Sequence, residues 1–276
     1  MLFRSPGDLV LIPDPGYITY TSGTLLAGGT SYSLPILRER GYLPDLAAIP
    51  PKVLSQARLL WLNYPNNPTA ATAPLEFFAA AVEFARQHGL LVCHDAAYSQ
   101  VTFEGYRAPS ILEVPGAKQV AVEFNSLSKS HNMAGWRVGA AVGNVQALKA
   151  LYAYKTNADS GHFLPIQQAA IAAMTGDQGW LAVRNEVYRQ RRDCVLSTLR
   201  AMGLDATIPK ASLYVWSPVP VGFTSAQFVS HLLETTGISL TPGTVFGQGG
   251  EGFVRIALSS PTEQINAAMQ RIRAIL

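Results

Sequence analysis

Four short, continuously apolar segments, separated by helical patterns, constrain the fold of this 276-residue chain more than any other feature. Each segment has strand length, and the four are LVLIP (9–13), ARLLWLN (57–63), LLVCHD (90–95) and QVAVEFN (119–125). A strand with one face in water alternates apolar and polar residues, whereas a continuously apolar strand is covered on both faces. The sequence therefore predicts a mostly parallel sheet with helices on both sides.

The segment PLEFFAAAVEFARQHG (74–89) lies between the second and third of these strands. It begins with proline, repeats apolar residues every three to four positions and ends with glycine, which is the pattern of an amphipathic helix. A strand, a helix and a second strand in this order are typical of a parallel pair with a crossover helix. We therefore expect a three-layer α/β/α large domain over residues 1–175.

The pattern changes near Pro165. A long helical stretch covers 178–202, and strand-like segments follow at SLYVWSPV (212–219) and GFVRIALS (252–259), with helices near 225–236 and at the C-terminus. This mixture predicts a smaller C-terminal α+β domain over residues 176–276.

Composition argues against several classes of protein. Only 14% of the residues are charged and the net charge is +3, without a long basic block, so nucleic acid is not an expected partner. No apolar stretch reaches the ~20 residues of a membrane span, and the N-terminus lacks the apolar core of a signal peptide. The two cysteines and five histidines have no metal-ligand spacing, so we expect a cytoplasmic protein without a metal site.

Polar or aromatic residues follow the end of each predicted strand. The four strands are followed by DPGY, NYPNNPT, DAAY and SLSK, respectively. Because ligands of open α/β sheets bind at the carboxyl ends of the strands, these residues predict a ligand site there.

Lys129, in the last of these segments, has three interpretations. It is a surface lysine in a polar turn, the lysine of an S-x-x-K serine motif starting at Ser126, or a lysine that forms a Schiff base. The serine motif lacks its S-D-N and K-T-G partners. Pyridoxal phosphate is the cofactor that most often uses a Schiff-base lysine, and it also needs phosphate ligands, an acid at its pyridine nitrogen, donors to its ring oxygen and a partner for its ring face.

The strand ends contain a side chain for each of these needs: Ser126, Ser128 and Arg137 for phosphate, Asp95 for the pyridine nitrogen, Asn67 and Tyr98 for the ring oxygen, and Tyr17 for the ring face. Each has an ordinary structural alternative, because an aspartate often caps a helix and a tyrosine often packs in a core. Together, however, they match the chemistry of one cofactor.

The segments NYPNNPT, HDAAYSQVTFEGYRAPS, NSLSKSHNMAGWRVG and FVRIALS resemble fold-type-I aminotransferases of class I/II, and the resemblance covers essentially the whole chain. The longer matches, TFEGYRAPSILEVPGAKQVAVEF and SLSKSHNMAGWRVGAAVGN, are similar to the LL-diaminopimelate aminotransferase branch. The resemblance implies pyridoxal-phosphate-dependent transamination between an α-amino acid and a 2-oxo acid. LL-diaminopimelate and 2-oxoglutarate, in lysine biosynthesis, are the substrate pair that this branch implies.

The resemblance also implies a role for each site residue. Lys129 is the catalytic lysine that forms the Schiff base and shuttles the proton, and Asp95 pairs with the pyridinium. Arg255 and Asn67 bind the substrate, with Arg255 on its α-carboxylate. The other implied cofactor contacts are Tyr17, Asn67, Tyr98, Ser126, Ser128 and Arg137. Cis peptide bonds before Pro15 and Pro68 and a homodimer with active sites at the subunit interface follow from the same resemblance.

The chain departs from the family pattern at two places. Ala70 stands where the family usually has glycine, a change we expect to be tolerated unless the position needs a positive φ. The chain also begins later than its relatives, whose N-terminal segment contains the first strand of the large sheet and a loop that completes the phosphate site. We therefore expect six large-domain strands, with the strand at RVGAAVG on an edge, and weak or absent cofactor binding. A non-catalytic chain and a lyase on the same fold remain the alternatives.

Overall fold

Nine strands form two separate sheets in the computed structural model, which describes residues 7–274. The strands of the large sheet are β1 (Leu9–Asp14), β2 (Thr30–Pro35), β3 (Ala57–Asn63), β4 (Leu91–Asp95), β5 (Ala121–Ser126) and β6 (Gly139–Gly143). Those of the small sheet are β7 (Tyr214–Pro218), β8 (Thr241–Pro242) and β9 (Phe253–Ala257). The six large-domain strands expected from the sequence are thus present.

Nine α-helices connect the strands within the described residues. They are α1 (Thr19–Leu26), α2 (Pro51–Leu54), α3 (Leu75–His88), α4 (Leu127–Ser130), α5 (Val145–Ala158), α6 (Leu164–Thr175), α7 (Trp180–Ala201), α8 (Ser225–Thr236) and α9 (Thr262–Arg273). The helix predicted from its proline and glycine limits is α3, which follows Pro74 and ends at Gly89 in the left-handed conformation, with φ 65°.

The strands of the large sheet have the order β2-β1-β3-β4-β5-β6. The first four pairings are parallel, whereas β6 runs antiparallel to β5, so the prediction of a mostly parallel sheet is confirmed. The strand β6 lies at an edge, as expected. In the register, Asn63 lies opposite Asp95 and Asp95 opposite Phe124, which aligns the carboxyl ends of β3, β4 and β5.

Helices cover both faces of the large sheet. On one face, α3 buries Phe78 and Val82 against Leu60 and Leu62 of β3. On the other face, α5 packs Ala147 with Cys93 of β4 and Val122 of β5, and α1 packs Tyr20 against β1. The strands are covered on both sides, as their continuously apolar sequences predicted, and the three-layer α/β/α architecture is confirmed.

The small sheet forms a second core with the C-terminal helices. Buried side chains of α7, α8 and α9 pack on β7 and β9, including Val195, Leu232, Ile265, Val215 and Val254. This arrangement matches the predicted α+β architecture. The boundary between residues 175 and 176 stays a prediction.

The small sheet reaches the large one through the glycine-rich loop after β8. The amide of Gly249 donates to Asp14 Oδ1 (2.9 Å), and the amide of Gly16 donates to the carbonyl of Phe246 (2.7 Å). A Cβ on Gly247 would lie 2.2 Å from Asp14 Oδ1, so this close approach requires glycine. The contact places β9 beside the carboxyl ends of the large sheet.

No helix within residues 7–274 is long and apolar enough to cross a membrane. The same residues contain no group of three or more histidine, cysteine or acidic side chains arranged to bind a metal ion.

Candidate active site

A cavity of about 250 Å³ lies at the carboxyl ends of β3, β4 and β5. It is lined by Tyr17, Asn63, Asn67, Asp95, Ala97, Tyr98, Ser126, Ser128, Lys129 and Arg137. All of the predicted cofactor-binding residues therefore face one space, although they come from five different segments of the chain. The predicted substrate residue, Arg255, adjoins the cavity through Asn67.

Three neighbours hold Asp95 at the end of β4. The Tyr20 hydroxyl donates to Asp95 Oδ2 (2.7 Å), the Ala97 amide donates to Oδ1 (3.2 Å), and the Asn63 side-chain amide donates to the Asp95 carbonyl (2.8 Å). Burial, and then the negative charge of Asp95, raise the pKa of Tyr20 well above its ordinary value, so the phenol remains a hydrogen-bond donor. Tyr20 and Asn63 were not among the predicted site residues.

Two side chains order the backbone of the Asn-Pro loop, residues 64–70, which directly follows β3. Asn63 Oδ1 accepts from the Asn67 amide (2.8 Å), and Asn66 Oδ1 accepts from the amide (3.0 Å) and hydroxyl (2.7 Å) of Thr69. The peptide bonds before Pro15 and Pro68 are cis, as expected, and a third, unpredicted cis bond precedes Pro65.

Ala70, which ends this loop, has a φ of +58°. We expected alanine to be tolerated here unless the position needs a positive φ. The position has a positive φ, so alanine in place of the usual glycine should cause strain.

Lys129 projects from the one-turn helix α4, directly after β5. Ser126 caps this turn, since its Oγ accepts from the Ser128 amide (3.2 Å), and Ser130 Oγ donates to the Ser126 carbonyl (2.9 Å). These bonds hold the lysine-bearing turn in a single geometry at the end of the strand.

One wall of the cavity has hydroxyl groups and a guanidinium. Ser126 and Ser128 line it together with Arg137, whose Nη1 donates to the Ala134 carbonyl (3.1 Å). Arg137 has a left-handed backbone (φ 53°), and its own carbonyl lies 3.1 Å from His162 Nε2. Hydroxyls beside a guanidinium are donors suited to a phosphate group.

Arg255 carries the observation that most directly indicates a missing ligand. Its Nη1 donates to Asn67 Oδ1 (2.8 Å), and its guanidinium lies over the rings of Tyr214 (4.2 Å) and Phe246 (4.6 Å). Its Nε is buried and has no hydrogen-bond partner among the described residues. Because buried N–H groups are nearly always paired, this free donor fits an anionic ligand that would complete its bonding.

Tyr98 contacts a residue that the sequence did not indicate. Its hydroxyl lies 3.1 Å from that of Tyr214 on β7. Burial, followed by the neighbouring Tyr214, raises the pKa of Tyr98, so this side chain also stays a neutral phenol. The only signal available for Tyr214 was its position in a predicted strand, which does not specify a partner.

Comparison with known proteins identifies the family. Residues 1–272 match the family described as "Aminotransferase class I and II". The chain belongs to this aminotransferase family.

Curated members of the family are similar along the whole chain. An LL-diaminopimelate aminotransferase of Moorella thermoacetica is 51% identical over 276 residues, which are 100% of this chain and 71% of the relative. An enzyme of the same name from Desulforudis audaxviator is 51% identical over 274 residues, covering 99% of this chain and 70% of the relative.

Several solved structures have the same fold. BacF of Bacillus subtilis, without ligand, superposes with a TM-score of 0.95 at 39% identity, covering 99% of this chain and 73% of its own. A probable N-succinyldiaminopimelate aminotransferase of Thermus thermophilus gives a TM-score of 0.93 at 38% identity, covering 100% of this chain and 73% of its own.

Members of this aminotransferase family use pyridoxal phosphate. The residues of the cavity fit that cofactor, because an amine, a carboxylate, hydroxyls, a guanidinium and an aromatic ring face one space of suitable chemistry. The unpaired Arg255 donor beside them fits the carboxylate of an amino acid.

Proposed function

We propose that the chain acts as an LL-diaminopimelate aminotransferase, with 2-oxoglutarate as the amino acceptor. The observation that carries the proposal is the convergence of Lys129, Asp95 and Arg137 in one cavity, with the unpaired Nε of Arg255 beside it. The proposed substrate is supported by two LL-diaminopimelate aminotransferases that are each 51% identical to this chain over 99–100% of its length.

Bound pyridoxal phosphate supplies an electrophilic aldehyde and a ring that withdraws electrons from the substrate α-carbon. Lys129 Nζ would be the amine that this aldehyde meets. Ser126, Ser128 and Arg137 would hold the phosphate, and Tyr17 would cover the ring face. Asp95, aligned by Tyr20, would keep a proton on the pyridine nitrogen, while Asn67 and Tyr98 would donate to the ring oxygen.

Lys129 has a second task once an amino acid is bound. Its free Nζ would accept the α-proton of the substrate as a general base and would then donate a proton as a general acid. The hydrogen bonds of Ser126 and Ser130 fix the backbone turn from which this side chain extends.

Arg255 and Asn67 position the substrate α-carboxylate. The Nε donor of Arg255 is free, and its Nη1 is already aligned by Asn67 Oδ1. The rings of Tyr214 and Phe246 lie against the guanidinium and exclude water, which strengthens its charge-assisted hydrogen bonds.

We also propose that the chain forms a homodimer and works in the cytoplasm. Exposed apolar side chains along α5 and α6 support the dimer: they include Tyr152, Tyr154, Phe163, Leu164, Ile171 and Met174. The two free cysteines, Cys93 and Cys194, are consistent with a reducing compartment.

Borohydride trapping tests the lysine. The purified chain is incubated with pyridoxal phosphate and reduced, and the modified peptide is identified by mass spectrometry. We expect the label on Lys129 and its loss in Lys129→Ala. Lys155→Ala is the matched control, because Lys155 is paired with Asp159 on the surface (2.7 Å) and should leave labelling unchanged. Equal labelling of Lys129→Ala and wild type would contradict the assignment.

A half-reaction tests the substrate. The loaded protein is mixed with LL-diaminopimelate alone, and conversion of the cofactor to its amine form is followed by absorbance, with other amino acids in parallel. We expect fastest conversion with LL-diaminopimelate. Conversion by a different donor only would refute the substrate, elimination products without conversion would identify a lyase, and cofactor uptake without either would identify a non-catalytic chain.

A further inference from the structure

Arg184, on the long helix α7, is buried although it has no acidic partner. Its side chain is 8% exposed, and no Asp or Glu within residues 7–274 forms an ion pair with it. A buried cation is costly unless its hydrogen-bond donors are satisfied. The groups that accept hydrogen bonds from Arg184 therefore show what keeps this charge stable inside the protein.

All five N–H donors of this guanidinium have acceptors, and most of these acceptors belong to the active-site loops. Nη1 donates to the carbonyl of Lys129 (3.2 Å) and to that of Ser130. Nη2 donates to the carbonyl of Gln100 (2.7 Å) and to Asn185 Oδ1 (2.8 Å), and Nε donates to the same Asn185 oxygen (3.1 Å). The ring of Trp180 covers the guanidinium at 5.3 Å.

The two carbonyls on α4 need an external donor. This helix has a single turn, and the last carbonyls of a helix have no partner within it. Arg184 supplies that partner for Lys129 itself and for the residue after it. The third carbonyl, that of Gln100, lies in the turn after β4, two residues from Tyr98. Arg184 thus ties the loop that carries the lysine to the loop that carries Tyr98.

We propose that Arg184 is a positioning residue that fixes the backbone of Lys129, and hence the point from which its amine extends, relative to the turn that contains Tyr98. The inference rests on the proposed role of Lys129. Only a planar fork with five donors matches this set of carbonyls, because a lysine ammonium presents three donors from a single point.

The chain contains a matched control on the same helix. Arg192 is 2% exposed and also donates to a backbone carbonyl, that of Pro209 (2.8 Å). It differs in having two acidic partners, Glu104 (2.6 Å) and Asp193 (2.7 Å), and none of the hydrogen bonds it makes within residues 7–274 goes to α4. Arg184→Lys and Arg192→Lys therefore each remove a buried guanidinium. Only Arg184→Lys removes hydrogen bonds to α4, the one-turn helix that contains Lys129 and is called the lysine turn.

Hydrogen exchange of the cofactor-free protein is the first readout. The amides of His131 and Met133 both donate to the Leu127 carbonyl (3.0 and 3.1 Å), so their exchange reports on the lysine turn. We expect these amides to exchange at least about tenfold faster in Arg184→Lys, because the guanidinium that donates to the carbonyls of α4 is lost. In Arg192→Lys, exchange should stay within about twofold of wild type. Equal exchange in the two variants would overturn the proposal.

Covalent capture is the second readout. The rate at which Lys129 captures pyridoxal phosphate, with the imine reduced by borohydride, is compared with the rate of its reductive methylation by formaldehyde and borohydride. Formaldehyde forms an imine with the same amine and borohydride reduces that imine, but this small reagent needs little alignment. We expect capture to fall at least about tenfold in Arg184→Lys while methylation stays within about twofold, since a misplaced reactive group loses rate only where alignment matters. An unchanged ratio of the two rates would overturn the proposal.

Asn185→Ala is a second variant that tests the same contacts if Arg184→Lys does not fold. It keeps the charge of Arg184 but removes the oxygen that accepts two of its donors, so both effects should appear at smaller size. If wild type methylates but never captures the cofactor, the proposed role of Lys129 fails, and hydrogen exchange still decides whether Arg184 holds the turn.

Discussion

Ala70 shows how one residue can conflict with the backbone that surrounds it. It is 4% exposed and has a φ of +58°, a left-handed conformation in which its Cβ approaches the following carbonyl oxygen. The conformation persists because the loop around it is held by hydrogen bonds, including one from the Ala70 amide to the Asn66 carbonyl (3.0 Å). The loop therefore tolerates strain at a position beside the site.

Ala70→Gly should stabilise the protein by about 1 kcal/mol, because glycine adopts a positive φ without steric cost. The measurement is the free energy of unfolding in urea. Ala71→Gly is the control: Ala71 has no positive φ, so this change should destabilise by roughly 0.5–1 kcal/mol through the added freedom of the unfolded chain. Destabilisation by both substitutions would show that Ala70 is not strained.

At the scale of elements, a buried polar network joins β4, β5 and the Asn-Pro loop below the cavity. His94, on β4, lies 3.1 Å from the Tyr64 carbonyl through Nε2 and 3.2 Å from Glu123 Oε2 through Nδ1. Glu123, on β5, also accepts from the Ser110 hydroxyl (2.6 Å) and from Asn125 Nδ2 (3.0 Å). The network holds three site-bearing segments in a fixed relation.

The pH dependence of stability should reveal this network. Burial on its own raises the pKa of Glu123, but the hydrogen bonds and charge of His94, with help from Ser110 and Asn125, outweigh burial and lower that pKa to about 2. Because the folded pKa is below the unfolded one, the stabilisation is present above about pH 4.5 and is lost as the pH falls towards 2.

Glu123→Gln should therefore cost up to about 3 kcal/mol near neutral pH, and its difference from wild type should shrink as the pH falls from about 5 to 2. Urea unfolding at a series of pH values measures this. Glu83→Gln is the control, since Glu83 pairs with an exposed Arg86 on the surface of α3 and should contribute little at any pH. A difference for Glu123→Gln that does not vary with pH would contradict the prediction.

At the scale of the whole molecule, α5, α6 and the segment between them expose several large apolar side chains. Tyr154 and Phe163 are each 73% exposed, on and next to α5 and close in sequence to further exposed apolar residues of α6. Exposed apolar residues that form a patch usually mark an association site, and we expect one here.

We expect the chain to sediment as a dimer at micromolar concentration. The double substitution Tyr154→Glu and Phe163→Glu should weaken association at least about tenfold, because a buried unpaired charge opposes docking. Val221→Glu is the control, since Val221 is fully exposed elsewhere, in a loop after β7. A monomeric wild type, or an equal effect of the control, would refute this interface.

Some of the architecture and much of the candidate site can be read from the sequence, because the relevant signals are local. Continuously apolar strands require cover on both faces, and polar residues stand at each strand end. The positions of Asp95, at the end of β4, and of Lys129, after β5, were therefore predictable. The left-handed Ala70 was not, since its φ depends on hydrogen bonds of the folded loop.

Only the tertiary structure decided which distant side chains support those residues. The Tyr20 hydroxyl reaches Asp95 across 75 positions of sequence, Tyr214 reaches Tyr98 across 116, and Arg184 reaches the Lys129 carbonyl across 55. No local pattern specifies such a pair, because the contact exists only after strand order and helix packing have placed both partners. The sequence alone determined the reactive groups and the sheet edge at which they meet, whereas folding determined the contacts that orient them.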